Sequence, residues 1–139
     1  MFSLRRVFPF WVALFFAVLL TSSAWAVDLN ESFDVTTFPP VAWQSFETGA
    51  GVNIFIRTTG STHSGLGKAY IEKENVTSGE VAERWLITPK LYVNNTTDVF
   101  AFWARTYLTA TNNDSLYVRV STTDSATTSF TVDLGQYKC

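Results

Sequence analysis

Apolar and polar residues alternate along much of the chain, with the period of a strand rather than a helix. Val52, Ile54 and Ile56 alternate with Asn53, Phe55 and Arg57, as expected of a strand with one buried face. Residues 60–67 (GSTHSGLG) have the composition of a turn or loop, 69–72 read as a short strand, and 75–79 (NVTSG) turn the chain again. Trp85, Leu86 and Ile87 then stand together before Thr88-Pro89. Three apolar residues in a row predict a strand covered on both faces, and proline ends it because it brings no ladder donor. After the polar turn 94–98 (NNTTD), residues 99–108 (VFAFWARTYL) form the strongest strand pattern. Phe100, Phe102, Ala104 and Leu108 share one face; Val99, Ala101, Trp103 and Tyr107 share the other. Both faces are largely apolar, which predicts a central strand. Residues 109–114 (TATNND) turn the chain, and 115–123 (SLYVRVSTT) put Leu116, Val118 and Val120 inward with Tyr117, Arg119 and Ser121 outward. A last short strand spans 130–134. Over 72–84, Gly79 and β-branched residues interrupt any helical stripe. Short strands at this spacing predict an all-β chain folded as an antiparallel sandwich.

The first 26 residues have a different pattern. Arg5 and Arg6 precede a continuous apolar run over 7–20, and Ala24-Trp25-Ala26 places small residues where a signal peptidase reads. This predicts a secretory signal over 1–26 and a single domain over 27–139. The run falls short of the roughly 20 apolar residues of a spanning helix and contains Pro9. No membrane span is therefore expected after cleavage. Removing Arg5 and Arg6 leaves 8 of the 10 basic residues against 12 acids, a formal charge of −4. That balance argues against nucleic acid, which needs clustered Lys and Arg. Cys139 is the only cysteine, so stability must come from burial rather than an internal disulfide.

Four stretches of the chain resemble one family. "NESFDVTTFPPVAW" (30–43) resembles the acidic-Ser-Phe-acidic strand, Phe-Pro-Pro turn and tryptophan that open the choice-of-anchor J, or cleaved-adhesin, domain. "RWLITPKL" resembles its central Trp-Leu-Ile-Thr-Pro segment, "VFAFWAR" the strand that follows, and "LYVRVSTTD" its Tyr-x-Val-x-Val-Ser-Thr-Thr strand. The four occur in the family's order and spacing, over residues 31 to about 134. The resemblance implies a jelly-roll-like β-sandwich related to gingipain adhesin domains. It also implies a bacterial, secreted or surface-attached protein without catalysis that binds carbohydrate or extracellular protein. The family continues with further strands where this chain reaches "SFTVDLGQYKC", so a sandwich lacking its last strands is expected, with open edges that invite pairing with another chain. An accessory fragment of a larger secreted protease or glycosidase, and a ligand-free spacer, are the alternative readings.

Candidate sites are few. The resemblance implies a structural calcium, with Glu31 and Asp34 as metal ligands and Asp133 or Asp114 contributing; calcium takes about 6–8 oxygens. Tyr107 and Tyr117 are the aromatics placed to face a ligand, whereas Trp85 and Trp103 are expected in the core because tryptophan buries a large area. The loops 60–67 and 109–114 are the expected ligand-facing segments. His63 has no second histidine or cysteine beside it in its loop, and no Gly-x-Ser-x-Gly elbow is present, so neither a catalytic residue nor a cofactor site is expected. The sequons at Asn30, Asn75, Asn94 and Asn95 read as turn chemistry.

Overall fold

A computed structural model describes residues 29–106 and 114–138. The expected signal, Tyr107, the turn 109–113 and Cys139 lie outside them. The fold is all-β, with antiparallel strands. β1 (Gln44–Gly49) pairs with β4 (Ala82–Ile87), β2 (Ile56–Thr59) with β3 (Gly67–Tyr70), and β5 (Ser115–Val120) with β6 (Val132–Lys138). A 3-10 turn at Thr127–Ser129 lies between β5 and β6. The β1–β4 ladder sets Phe46 opposite Trp85 and Gln44 opposite Ile87. Ile87, 7% exposed, is the one buried hydrophobic side chain among the described residues. β4 ends at Ile87, directly before Thr88-Pro89, where the missing proline donor stops the ladder.

Several strand expectations change in the structure. Residues 99–106 form no strand, and Val99 and Trp103 are 84% and 78% exposed. An extended segment is held by a ladder partner, and none of the described strands pairs with this one. Its rings instead pack locally: Phe100 lies 5.7 Å from Phe102, and Trp103 stacks on His63 at 3.9 Å between ring centres. Trp103 is therefore not core. Trp85 and Leu86 are half-buried rather than enclosed, since β4 has a ladder partner on one side only. Residues 31–34 are not a strand either, and Phe33 adopts φ +56°. β1 carries no apolar alternation beyond Phe46, and nothing in its sequence marks it as a strand.

The segment 52–55 shows why the alternation there misleads. Val52, Ile54 and Ile56 point to solvent, and strand structure begins only at Ile56. The peptide groups that a ladder would need are taken by side chains. The Glu74 carboxylate accepts hydrogen bonds from the Val52 and Asn53 amides, both at 2.7 Å. Arg84 on β4 donates to the Asn53 carbonyl through Nε, to the Thr48 carbonyl through Nη1 at 3.2 Å, and to the Ala50 carbonyl through Nη2 at 2.9 Å. The two side chains meet in an ion pair of 2.6 Å, with Arg84 only 8% exposed. Gly51 at φ +86° lets the backbone pass against Glu74, where a Cβ would overlap the carboxylate.

This clamp generates a stability test. Arg84→Met removes the donor from four backbone carbonyls and from Glu74, and a carbonyl left unpaired costs on the order of 1 kcal/mol where water does not replace the donor. A loss of about 2–3 kcal/mol in denaturant unfolding is expected, and a variant as stable as the parent would contradict the clamp. Ser45 is the internal control. Its hydroxyl is shut from solvent with no hydrogen-bond partner among the described residues, so Ser45→Ala should leave stability unchanged or raise it by up to about 1 kcal/mol.

Candidate functional site

The acidic pair near the start of the domain is engaged by the backbone. The Asp34 carboxylate accepts from the Leu66 and Gly67 amides, the latter at 3.1 Å, and from the Ser32 hydroxyl at 3.0 Å. The Glu31 carboxylate accepts from the Phe33 amide at 2.5 Å. Arg57 completes the arrangement by donating to the Phe33 and Asp34 carbonyls at 2.6 and 3.1 Å. These bonds fasten the N-terminal segment onto the β2–β3 hairpin and hold Phe33 in a backbone region unfavourable to large side chains. Gly67 is required at the contact, because a Cβ there would overlap the Phe33 carbonyl. The Phe33 ring packs edge-on against Trp43 at 5.3 Å and beside Phe38 at 6.0 Å.

No group of three or more acidic, histidine or cysteine residues converges among the described residues, and both carboxylates already serve backbone donors. Asp114 is exposed, and Asp133 lies on β6 in a different contact. Hydrogen bonding from the Leu66 amide, then from the Ser32 hydroxyl, holds the Asp34 carboxyl below its ordinary value. Glu74 is likewise lowered, first by the Val52 and Asn53 amides and then by Arg84.

The β5–β6 hairpin carries the arrangement with the chemistry of a binding face. Its register opposes Ser115 to Lys138, Tyr117 to Gln136 and Arg119 to Asp133, so all six side chains lie on one side. A bulge between Val118 and Arg119 makes the last of these pairings possible. Leu134 is the extra residue; without it Arg119 would oppose Leu134 and Asp133 would turn to the other side. The Asp133 carboxylate supports the bulge by accepting the Gly135 amide at 2.9 Å. The Gln136 amide donates to the Ser115 hydroxyl at 3.0 Å, which confirms the shared side. Arg119 lies over Tyr117, with its guanidinium carbon 4.8 Å from the ring centre, and within 5.9 Å of the Trp85 ring. Both distances fall in the range of cation–π attraction. Trp85 is supported from behind by Phe130 at 5.6 Å. Its indole N–H reaches the Thr48 hydroxyl at 3.4 Å.

Tyr117, 46% exposed, thus stands where the alternation of 115–123 predicts, on a solvent-facing side. The sequence reading did not identify its companions. Arg119 two positions on was legible as outward-facing, and Gly135 within a strand is a usual mark of a bulge. The approach of Trp85 from β4 had no sequence signal. The loop 60–66 joins β2 to β3 and presents His63 on Trp103; this pair is remote in sequence and was also not foreseen.

Fold and face together define an all-β domain with an open aromatic and charged strand surface. The chain belongs to the cleaved adhesin domain family, whose model matches residues 26–136. No curated protein and no solved structure shows significant similarity to it. No helix among the described residues is long and apolar enough to cross a membrane.

Asp34 and Glu74, together with Asp98 and Asp124, which backbone amides and side-chain hydrogen bonds also lower, fix the sign of an acid effect. A carboxyl with a folded value below its unfolded one contributes stability at pH above the unfolded value and loses it as pH falls through the folded value. Melting temperature should therefore hold near neutrality and fall once pH drops below about 4. Asp34→Asn and Glu74→Gln should each flatten that fall. An acid slope unchanged in both variants would contradict the two contacts.

Proposed function

We propose that the protein is an extracellular, non-catalytic adhesin-like module that holds a glycan against the Tyr117–Arg119–Trp85 face. The observation that carries this reading is the bulged hairpin itself. It lines up a tyrosine ring, a guanidinium, an amide, a hydroxyl and a carboxylate on one side, and the Trp85 ring of β4 comes within 5.9 Å of the guanidinium. Aromatic faces suit the apolar faces of sugar rings, and fixed polar groups beside them give orientation. Membership of the cleaved adhesin family supports a binding role. The Arg5-Arg6 start, the apolar run over 7–20 and the Ala-Trp-Ala site support export to the bacterial surface or medium. The open edges of the three two-stranded sheets offer unpaired ladder groups, which favour association with a neighbouring chain on such a surface.

A glycan array with the purified protein tests the proposal. The expected result is binding to a subset of sugars that Tyr117→Ala weakens at least about tenfold, the effect of losing an interfacial aromatic anchor. A blank array, with the protein folded by circular dichroism, would overturn the glycan reading. Capture of extracellular matrix proteins alone would favour a protein ligand instead.

A further inference from the structure

We infer that the glycan taken by this face carries an anionic group, a carboxylate or a sulfate, and that Arg119 engages it. This rests on the binding-face reading and specifies the class of its ligand. The guanidinium plane is set by Tyr117 at 4.8 Å and Trp85 at 5.9 Å. Its one carboxylate neighbour, Asp133, sits 3.8 Å from Nε, beyond hydrogen-bond reach. Asp133 is half exposed and gives its Oδ1 to the Gly135 amide while Oδ2 faces Arg119, and a solvent-exposed pair at this distance offsets the charge of Arg119 weakly. Arg119 makes no hydrogen bond to any described residue, and its side chain is 35% exposed. A planar cation held between rings with its donor fork unused is built for a bidentate anion.

The rest of the face tells which anion. A free inorganic ion would have no use for two aromatic rings. Nucleic acid would meet a chain whose formal charge is −2, with no basic cluster to release counterions. A neutral sugar would cover the Arg119 donors without matching their charge, and covering unpaired donors weakens binding. A charged sugar satisfies both halves, ring on ring and anion on guanidinium. The register also places Lys138 and Ser115 on this side, four residues along β5 from Arg119, or about 14 Å at the usual rise. An elongated acidic oligosaccharide lying along β5 would meet Arg119, Tyr117, Gln136, Ser115 and Lys138 in order.

Calorimetry on the purified protein tests this with three probes: a neutral N-acetylglucosamine oligomer, an oligomer alternating N-acetylglucosamine with glucuronate, and a sulfated oligosaccharide of similar length. At least one anionic probe should bind about tenfold or more tighter than the neutral one. That preference should shrink as salt rises. Arg119→Gln should close the gap, and Arg119→Lys, which keeps charge without the fork, should restore only part of it. A neutral probe bound as tightly as both anionic ones, through Tyr117, would overturn this inference and leave the binding face standing. No binding of any probe would remove the binding face as well. If the Arg119 variants do not fold, a salt-independent preference in the parent protein is enough to overturn the inference.

Discussion

The ion pair between Glu74 and Arg84 is the constraint on which the β1–β4 region depends. With Ile87 the one buried hydrophobic side chain among the described residues, hydrophobic packing supplies little to hold the connecting segments in place. The pair does so through the backbone. Glu74 takes two consecutive amides at Val52 and Asn53, while Arg84 takes carbonyls at Thr48, Ala50 and Asn53. The same device recurs on the second hairpin. Asp34 takes the consecutive amides of Leu66 and Gly67, and Arg57 takes the carbonyls of Phe33 and Asp34. In each case a carboxylate and an arginine satisfy peptide groups that no ladder reaches, and charge strengthens those bonds relative to neutral ones.

This division of labour leaves the third hairpin free for another task. β5 and β6 carry no such clamp among the described residues. Their acid and base, Asp133 and Arg119, stand 3.8 Å apart and half open to solvent. Where the β1–β4 and β2–β3 pairs have their arginines bonded to carbonyls, the β5–β6 pair presents its arginine near aromatic faces beside a bulge. Arg84 is engaged by five acceptors, whereas Arg119 has none within hydrogen-bond distance among the described residues.

Much of this was legible in the sequence where side-chain period and ladder coincide. The alternation of 115–123 placed Tyr117 and Arg119 outward, and Thr88-Pro89 marked the end of β4. Family membership followed from four motifs. The failures share one cause. At 52–55 and 99–106 the apolar period was sound, but strand formation requires a partner for the peptide groups, and period carries no information about partners. Glu74 diverted the amides of the first segment, and the second has no neighbour among the described strands. The backbone contacts of Glu31 and Asp34 were not legible: Glu31 takes the local Phe33 amide, while Asp34 takes the Leu66 and Gly67 amides through tertiary approach of the 65–67 turn. The meeting of Trp85 with Arg119 joins residues of separate sheets, which local sequence does not encode.

We propose that ligand recognition lies on the β5–β6 face and not in the loops. Amide chemical-shift mapping by solution NMR, with a bound oligosaccharide titrated into isotope-labelled protein, tests it most directly. The account expects the perturbed amides to concentrate in Ser115–Val120 and Val132–Lys138, with the Trp85 indole N–H shifting alongside them. Perturbations confined to the 60–67 loop and Trp103, with the β5–β6 amides unmoved, would contradict it.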